Sequence, residues 1–208
     1  MSQNLPKASA MNSTNLSGFM FENDKIEDIT DILNKGGLIL YPTDTVWSVG
    51  CDATNPEAID KVFALKQRDP SLPISLMVDS IEMIKKYVVE IHPRVETLLM
   101  HHKRPLTIIY PEACNLPDNL VPLTGSIAIR IVQDPFCQAL VQHFGRPLVA
   151  TSASLETEAT PSHFGEINSN IIQGVDYIVK HRRSEVETGE PTVVISFDMS
   201  GDITFIRE

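Results

Sequence analysis

The 208-residue chain lacks the motifs that mark the commonest ligand chemistries. Neither a GxxxxGK(S/T) nor a GxGxxG run occurs, so no glycine-rich loop is on hand to wrap phosphates. Absence of HExxH, of GxSxG and of any Cys–His pairing at nucleophile spacing excludes the common zinc-hydrolase and covalent-nucleophile arrangements. There are three cysteines, Cys51, Cys114 and Cys137, widely spaced and odd in number. They form neither a zinc pattern nor a disulfide framework, and a cytoplasmic location is the default expectation. No apolar run approaches the ~20 residues of a membrane helix, so no membrane association is expected. Residues 1–20 carry Ser, Asn and a single lysine without an apolar core, which excludes a secretory signal; residues 1–23 read as a flexible tail. Positive charge is also short: 17 Lys and Arg against 27 Asp and Glu leave a net charge of −10, which argues against a chain that coats RNA.

What is present suits one globular domain over residues 24–208, with 42% hydrophobic and 21% charged residues and no internal repeat or linker. The reading centres on residues 36–68, GGLILYPTDTVWSVGCDATNPEAIDKVFALKQR. Leu38 to Tyr41 form a short apolar run that suits a strand covered on both faces, ended by Pro42, which has no amide for a ladder. Thr43, Asp44 and Thr45 then set side-chain oxygens at a strand end, where open α/β sheets bind ligands. Asn55-Pro56-Glu57 is a helix start, with a capping residue, a first-turn proline and an acid at the positive dipole end. Lys66 and Arg68 follow at the far end, where two cations can meet a phosphate.

Upstream, Ile26, Ile29, Ile32 and Leu33 fall at helical spacing within residues 24–35. Downstream, residues 73–78, 105–110, 126–132 and 146–152 read as strands, and 80–89, 93–102 and 134–144 as helices. A further helix is expected over 160–172, then strands over 175–179, 191–197 and 203–207. Short strands alternating with helices, and a strand-rich end, predict an α/β fold on a mixed sheet. Arg130 is anomalous in the apolar run 126–132, because an unpaired charge there is costly. Two readings stand, a structural ion pair and a ligand-facing cation. Lys61, Lys66, Arg68, Lys103, Arg104 and Arg130 are the cations a local basic groove would draw on. Hydroxyls and cations scattered over strand ends suit positioning and electrostatic stabilisation rather than covalent catalysis. Taken alone, Thr43 and Ser152 are more simply turn or cap residues.

Tyr41-Pro42-Thr43-Asp44-Thr45-Val46 and Lys66-Gln67-Arg68 resemble the Tyr-Pro-Thr-(Asp/Glu)-Thr-Val turn and the Lys-x-Arg of YrdC-like threonylcarbamoyl-adenylate synthases. The resemblance continues in register. Pro105-Leu106-Thr107 resembles a Pro-x-Thr strand, Ile127 to Ile131 a Val-Ala-Val-Arg-Val strand, and Pro147 to Ser154 a Pro-Leu-x-x-x-Ser-Ala-Asn strand. Thr160-Pro161-Ser162 is similar to a following Ser-Pro-Thr, Pro191 to Val194 to Ser-Thr-Val-Val, and Ile206-Arg207 to a closing Ile-Arg. The resemblance implies a single-domain YrdC-like fold, a twisted mixed β-sheet flanked by helices with a concave ligand groove. It implies synthesis of threonylcarbamoyl-adenylate and pyrophosphate from L-threonine, bicarbonate and ATP, for threonylcarbamoyladenosine modification of tRNA. ATP is then a substrate, with Mg2+ beside it and no protein metal ligands. Lys66 and Arg68 take the catalytic role and, with Ser152, the ATP phosphates. Thr107, Ser154 and Arg207 are further nucleotide contacts, while Thr43, Arg130 and Thr192 hold the amino acid, Arg130 facing its carboxylate. The implied partners are tRNA or another RNA and tRNA-modification proteins.

The chain departs from the family pattern within the same motifs. Ser154 stands where Asn is usual, Met77 where His is common, and Pro191 in the slot of a Ser. Trp47-Ser48 replaces Tyr-Gly, and Asp69 replaces the Pro after Lys-x-Arg, adding a negative charge. These changes motivate an alternative, a diverged paralogue that binds RNA or a nucleotide without making the adenylate.

Overall fold

A computed structural model describes residues 20–21, 24–186, 189, 192–197 and 201–207. Its strands are β1 (Met20–Phe21), β2 (Asp24–Lys25), β3 (Ile39–Tyr41), β4 (Ser48–Gly50), β5 (Ser75–Val78), β6 (Leu106–Tyr110), β7 (Ile127–Ile131), β8 (Leu148–Ser152), β9 (Tyr177–Ile178), β10 (Val193–Phe197) and β11 (Ile203–Arg207). The helices are α1 (Ile26–Asn34), α2 (Pro56–Lys66), α3 (Ile81–Ile84), α4 (Pro93–His101), α5 (Pro135–Phe144) and α6 (Ser169–Gln173). β3 to β11 form one open sheet in the order β11-β10-β6-β7-β5-β8-β4-β3-β9, and β1 pairs with β2 alone. Pairs β10–β6, β5–β7 and β3–β9 are parallel and the others antiparallel, so the sheet is mixed as expected.

Helix boundaries follow local chemistry. Asn55 accepts from the amides of Glu57 and Ala58 at the start of α2, and Asp134 from Cys137 at the start of α5. Gly36 and Gly145 take positive φ where α1 and α5 end, a conformation that costs other residues more. α1 packs on α5, and α2 on α6. The buried face of α1 (Ile26, Ile29, Leu33) and the wholly buried Ile39, Leu40 and Tyr41 of β3 belong to one core, each large apolar side chain contributing about 1.5–3 kcal/mol. No helix among the described residues is long and apolar enough to cross a membrane.

Four expectations need correction. β4 falls inside what reads as a polar turn; three residues, all buried, are too short to show an alternating pattern. Residues 160–172 do not form one helix: a 3-10 turn at Phe164–Glu166 ends before Asn168, whose side chain caps α6. The helix expected over 80–89 stops at Ile84, because Val88 leaves to bridge Ala113. Asp24, expected at a helix start, is instead fully buried and accepts from Tyr177 Oη and from the amides of Lys180 and His181. Pro191 and residues 1–19 lie outside the described residues.

Candidate active site

Cross-strand partners share a face of a sheet and alternate residues return to it. Thr107 lies opposite Arg130, and Arg130 opposite Met77. Ser75 lies opposite both Ala128 and Ala150, and Ser152, two residues after Ala150, lies opposite Ser48. One face therefore gathers Thr107, Arg130, Ser75, Ser152 and Ser48 from five strands. They line a groove of about 490 Å³ together with Arg68, Thr192 and Arg207, a volume typical of small-molecule sites.

The turn after β3 forms one end. Thr43 is buried; its hydroxyl donates to Val46 O (2.8 Å) and accepts from the amides of Thr45 (3.1 Å) and Val46 (3.2 Å). It builds the turn and sits beneath the groove wall, whereas Thr45 reaches the wall. Asp44 accepts from Arg130 Nη1 in an ion pair. Arg130 is thus ion-paired and also lines the groove.

Lys66 and Arg68 diverge because Gln67 between them takes φ +52°, the left-handed conformation that closes α2, with Arg68 N bonded to Phe63 O. Lys66, almost wholly buried, donates to Ser152 O and Ser154 O, both at 2.5 Å. Burial and then the Arg68 charge push its ammonium down to about 8, against an upward pull from Glu156. Arg68 lines the groove, pairs with Glu156 and donates to Pro73 O at 2.9 Å. Its Nε is shielded from solvent and has no hydrogen-bond partner. Ser152 and Ser154 hydroxyls meet at 3.1 Å, Ser154 being buried and off the wall.

At the far end, Thr107 Oγ1 donates to Thr192 Oγ1 (3.1 Å), and Arg207 Nη2 donates to the same oxygen (2.9 Å). A bulge makes this possible: Val194 faces Arg207 but Ile195 faces Phe205, so Arg207 is turned toward the groove side.

The structure thus brings Arg68, Thr107, Arg130, Ser152, Thr192 and Arg207 to one groove and sets Lys66, Thr43 and Ser154 just behind it. Met77 is fully buried. Asp69 is exposed and is engaged by Ser71 N (2.8 Å), away from the groove wall. Sequence reasoning left Ser48, Ser75, Thr151 and Gly189 out of the site; they also line the groove. The spacing of Ser75 two residues before Met77 was the available signal, whereas Gly189 had none. Cys51 and Cys137 are buried, with thiols pushed up by desolvation, and carry no thiolate chemistry.

Among the described residues no cluster of three or more His, Cys, Asp or Glu side chains could hold a metal. The described residues of the groove walls present hydroxyls and guanidinium groups rather than carboxylates. They offer no ligand set for a resident divalent ion.

The family model for Sua5, YciO and YrdC, described as telomere recombination, matches residues 31–208. A threonylcarbamoyl-AMP synthase from Pseudoalteromonas translucida is 31% identical over 164 residues, spanning 77% of this chain and 87% of that relative. The crystal structure of E. coli YciO superposes with a TM-score of 0.75 at 25% identity, covering 88% of each chain. Sua5 of P. abyssi, complexed with L-threonine, gives a TM-score of 0.78 at 22% identity. That match covers 88% of this chain and 53% of the other, so the present chain spans about half the archaeal protein.

Proposed function

The chain belongs to the Sua5/YciO/YrdC family, and from that membership we infer that it is a threonylcarbamoyl-AMP synthase, forming the adenylate and pyrophosphate from L-threonine, bicarbonate and ATP. The observation that carries the reading is the convergence of Arg68, Arg130 and Arg207 with Thr107, Ser152 and Thr192 on one groove, in a chain whose net charge is −10. Cations gathered against the overall sign serve an anionic ligand.

In this reading Arg68, with its orphaned Nε, meets the ATP phosphates, and Ser152 assists. Lys66 holds the end of β8 and the loop after it through Ser152 O and Ser154 O, and its charge adds to the field at the phosphate end from behind the wall. Thr107, Ser154 and Arg207 serve the nucleotide. Arg130 receives the amino-acid carboxylate at the end built by Thr43, while Thr192 ties Thr107 and Arg207 together at the other end. The threonine amine takes up bicarbonate to give a carbamate and water. The carbamate oxygen attacks the α-phosphorus, the bond to the leaving pyrophosphate breaks, and fixed cations stabilise the charge that develops. In this reading magnesium enters as part of the ATP substrate, the described wall residues offering hydroxyls and guanidinium groups. The product would pass to tRNA with the help of other proteins in the cytoplasm, a step that needs no RNA-coating surface here.

The test is pyrophosphate release from ATP and bicarbonate with and without L-threonine. Threonine-dependent release is expected. ATP binding without any threonine-dependent release would favour the diverged paralogue.

A further inference from the structure

Arg182 belongs to none of the motifs above. Its φ is +61°, a left-handed conformation that an L side chain keeps only when its surroundings hold it there. They do so here. Buried Asp24 takes the amides of Lys180 (2.7 Å) and His181 (2.8 Å) just before it. Arg183, just after it, donates to Val179 O at 2.8 Å and stands over the Phe164 ring at 5.1 Å.

The reversed backbone sends the Arg182 side chain to the turn after β3. Nη1 donates to Thr43 O (3.0 Å) and to Asp134 Oδ2 (3.2 Å), and Nε donates to Glu185 Oε2 (2.5 Å). Asp134 is also the cap of α5. One guanidinium therefore joins the turn to a helix start, while the Thr43 hydroxyl ties the same turn from within. Further along the same segment, Gly189 rests on that turn: a Cβ there would lie 1.9 Å from Asp44 O and 3.0 Å from Thr45 Cα. A small recess between Arg182, Glu185, Thr43 and Ser162 adjoins the groove and shares Thr45 with it.

We propose that Arg182 is a positioning residue for the amino-acid end of the groove. By holding the carbonyl of Thr43 it sets Asp44, and through Asp44 it sets the Arg130 guanidinium that faces the ligand. The identity of that ligand rests on the synthase reading; the clamp does not. Small displacements of a positioned group are expensive, because rate depends on near-attack geometry.

The test compares Arg182→Ala, Arg182→Gly and Arg182→Lys in the full chain by steady-state kinetics and by hydrogen exchange of the peptide spanning residues 43–49. Arg182→Ala is expected to raise KM for L-threonine about tenfold or more while KM for ATP stays within about twofold. Arg182→Gly, free of the φ strain, is expected to show the same threonine defect, which separates the clamp from the strain and keeps the test available if the alanine variant fails to fold. Arg182→Lys, reaching one oxygen, restores part of it. Turn amides exchange faster in the alanine and glycine variants. Unchanged threonine KM together with unchanged turn exchange overturns the proposal. If the parent protein shows no threonine-dependent turnover, the synthase reading fails by itself. Exchange then decides the clamp: acceleration at residues 43–49 supports it, and no change overturns it.

Discussion

Lys66 donates from a single ammonium to the main-chain oxygens of both Ser152 and Ser154, so the last residue of α2 holds the loop that follows β8. The loop returns the tie through Glu156 N, which donates to Lys66 O at 3.0 Å.

The depressed basicity of Lys66 gives opposite pH trends for stability and activity. Its pKa moves from 10.5 to about 8 on folding. Across that window the unfolded chain still holds a proton that the folded chain has released, so stability rises with pH. Phosphate capture needs the charged form, so kcat/KM for ATP falls as pH passes about 8. Lys66→Arg, charged throughout, should lose that basic limb. Initial rates and urea midpoints measured in parallel across the window check both trends.

Arg68 spans Glu156 and Pro73 O while one nitrogen stays unpartnered. Arg68→Ala should raise KM for ATP by about tenfold or more, roughly 1.4 kcal/mol per tenfold. Arg68→Lys should recover little, because a point charge cannot replace a planar fork. Saturation curves for ATP at fixed threonine test this; an unchanged KM in the alanine variant would remove Arg68 from the phosphate site.

The Arg130–Asp44 pair is nearly shut off from water, with side chains 5% and 12% exposed. Asp44→Ala leaves a buried guanidinium without its counter-charge and should cost about 3–5 kcal/mol. The double variant Asp44→Asn with Arg130→Met should cost less than the sum of its single changes, because the two sites share one interaction. Chemical denaturation of the four proteins reports the coupling.

Gly50 lies where β4 passes between β3 and β8. An added Cβ would be 2.6 Å from Val149 O and 2.7 Å from the ring of fully buried Tyr41, whose hydroxyl donates to that same oxygen at 3.3 Å. Neither neighbour is a flexible side-chain end. Gly50→Ala should destabilise by about 2 kcal/mol or more, read as a lowered Tm.

Local chemistry made much of the architecture legible in advance. Caps at Asn55 and Asp134, the stops at Gly36 and Gly145, and apolar runs such as Leu106–Tyr110 each act within a few residues, so the chain alone states where α2, α5 and β6 lie. The ordered motifs around Thr107, Arg130, Ser152 and Arg207 likewise supply side chains of the groove, whereas Thr43 and Lys66 stand behind it. Which of these side chains face a ligand is a matter of register. Ser48 joins the groove because it lies opposite Ser152, and Arg207 because a bulge turns β11. The left-handed Gln67 parts Lys66 from Arg68, and the Arg182 clamp joins residues 139 positions apart. Those placements depend on pairing between distant strands and on desolvation in the assembled core, neither of which a linear pattern encodes; only the folded chain decides them.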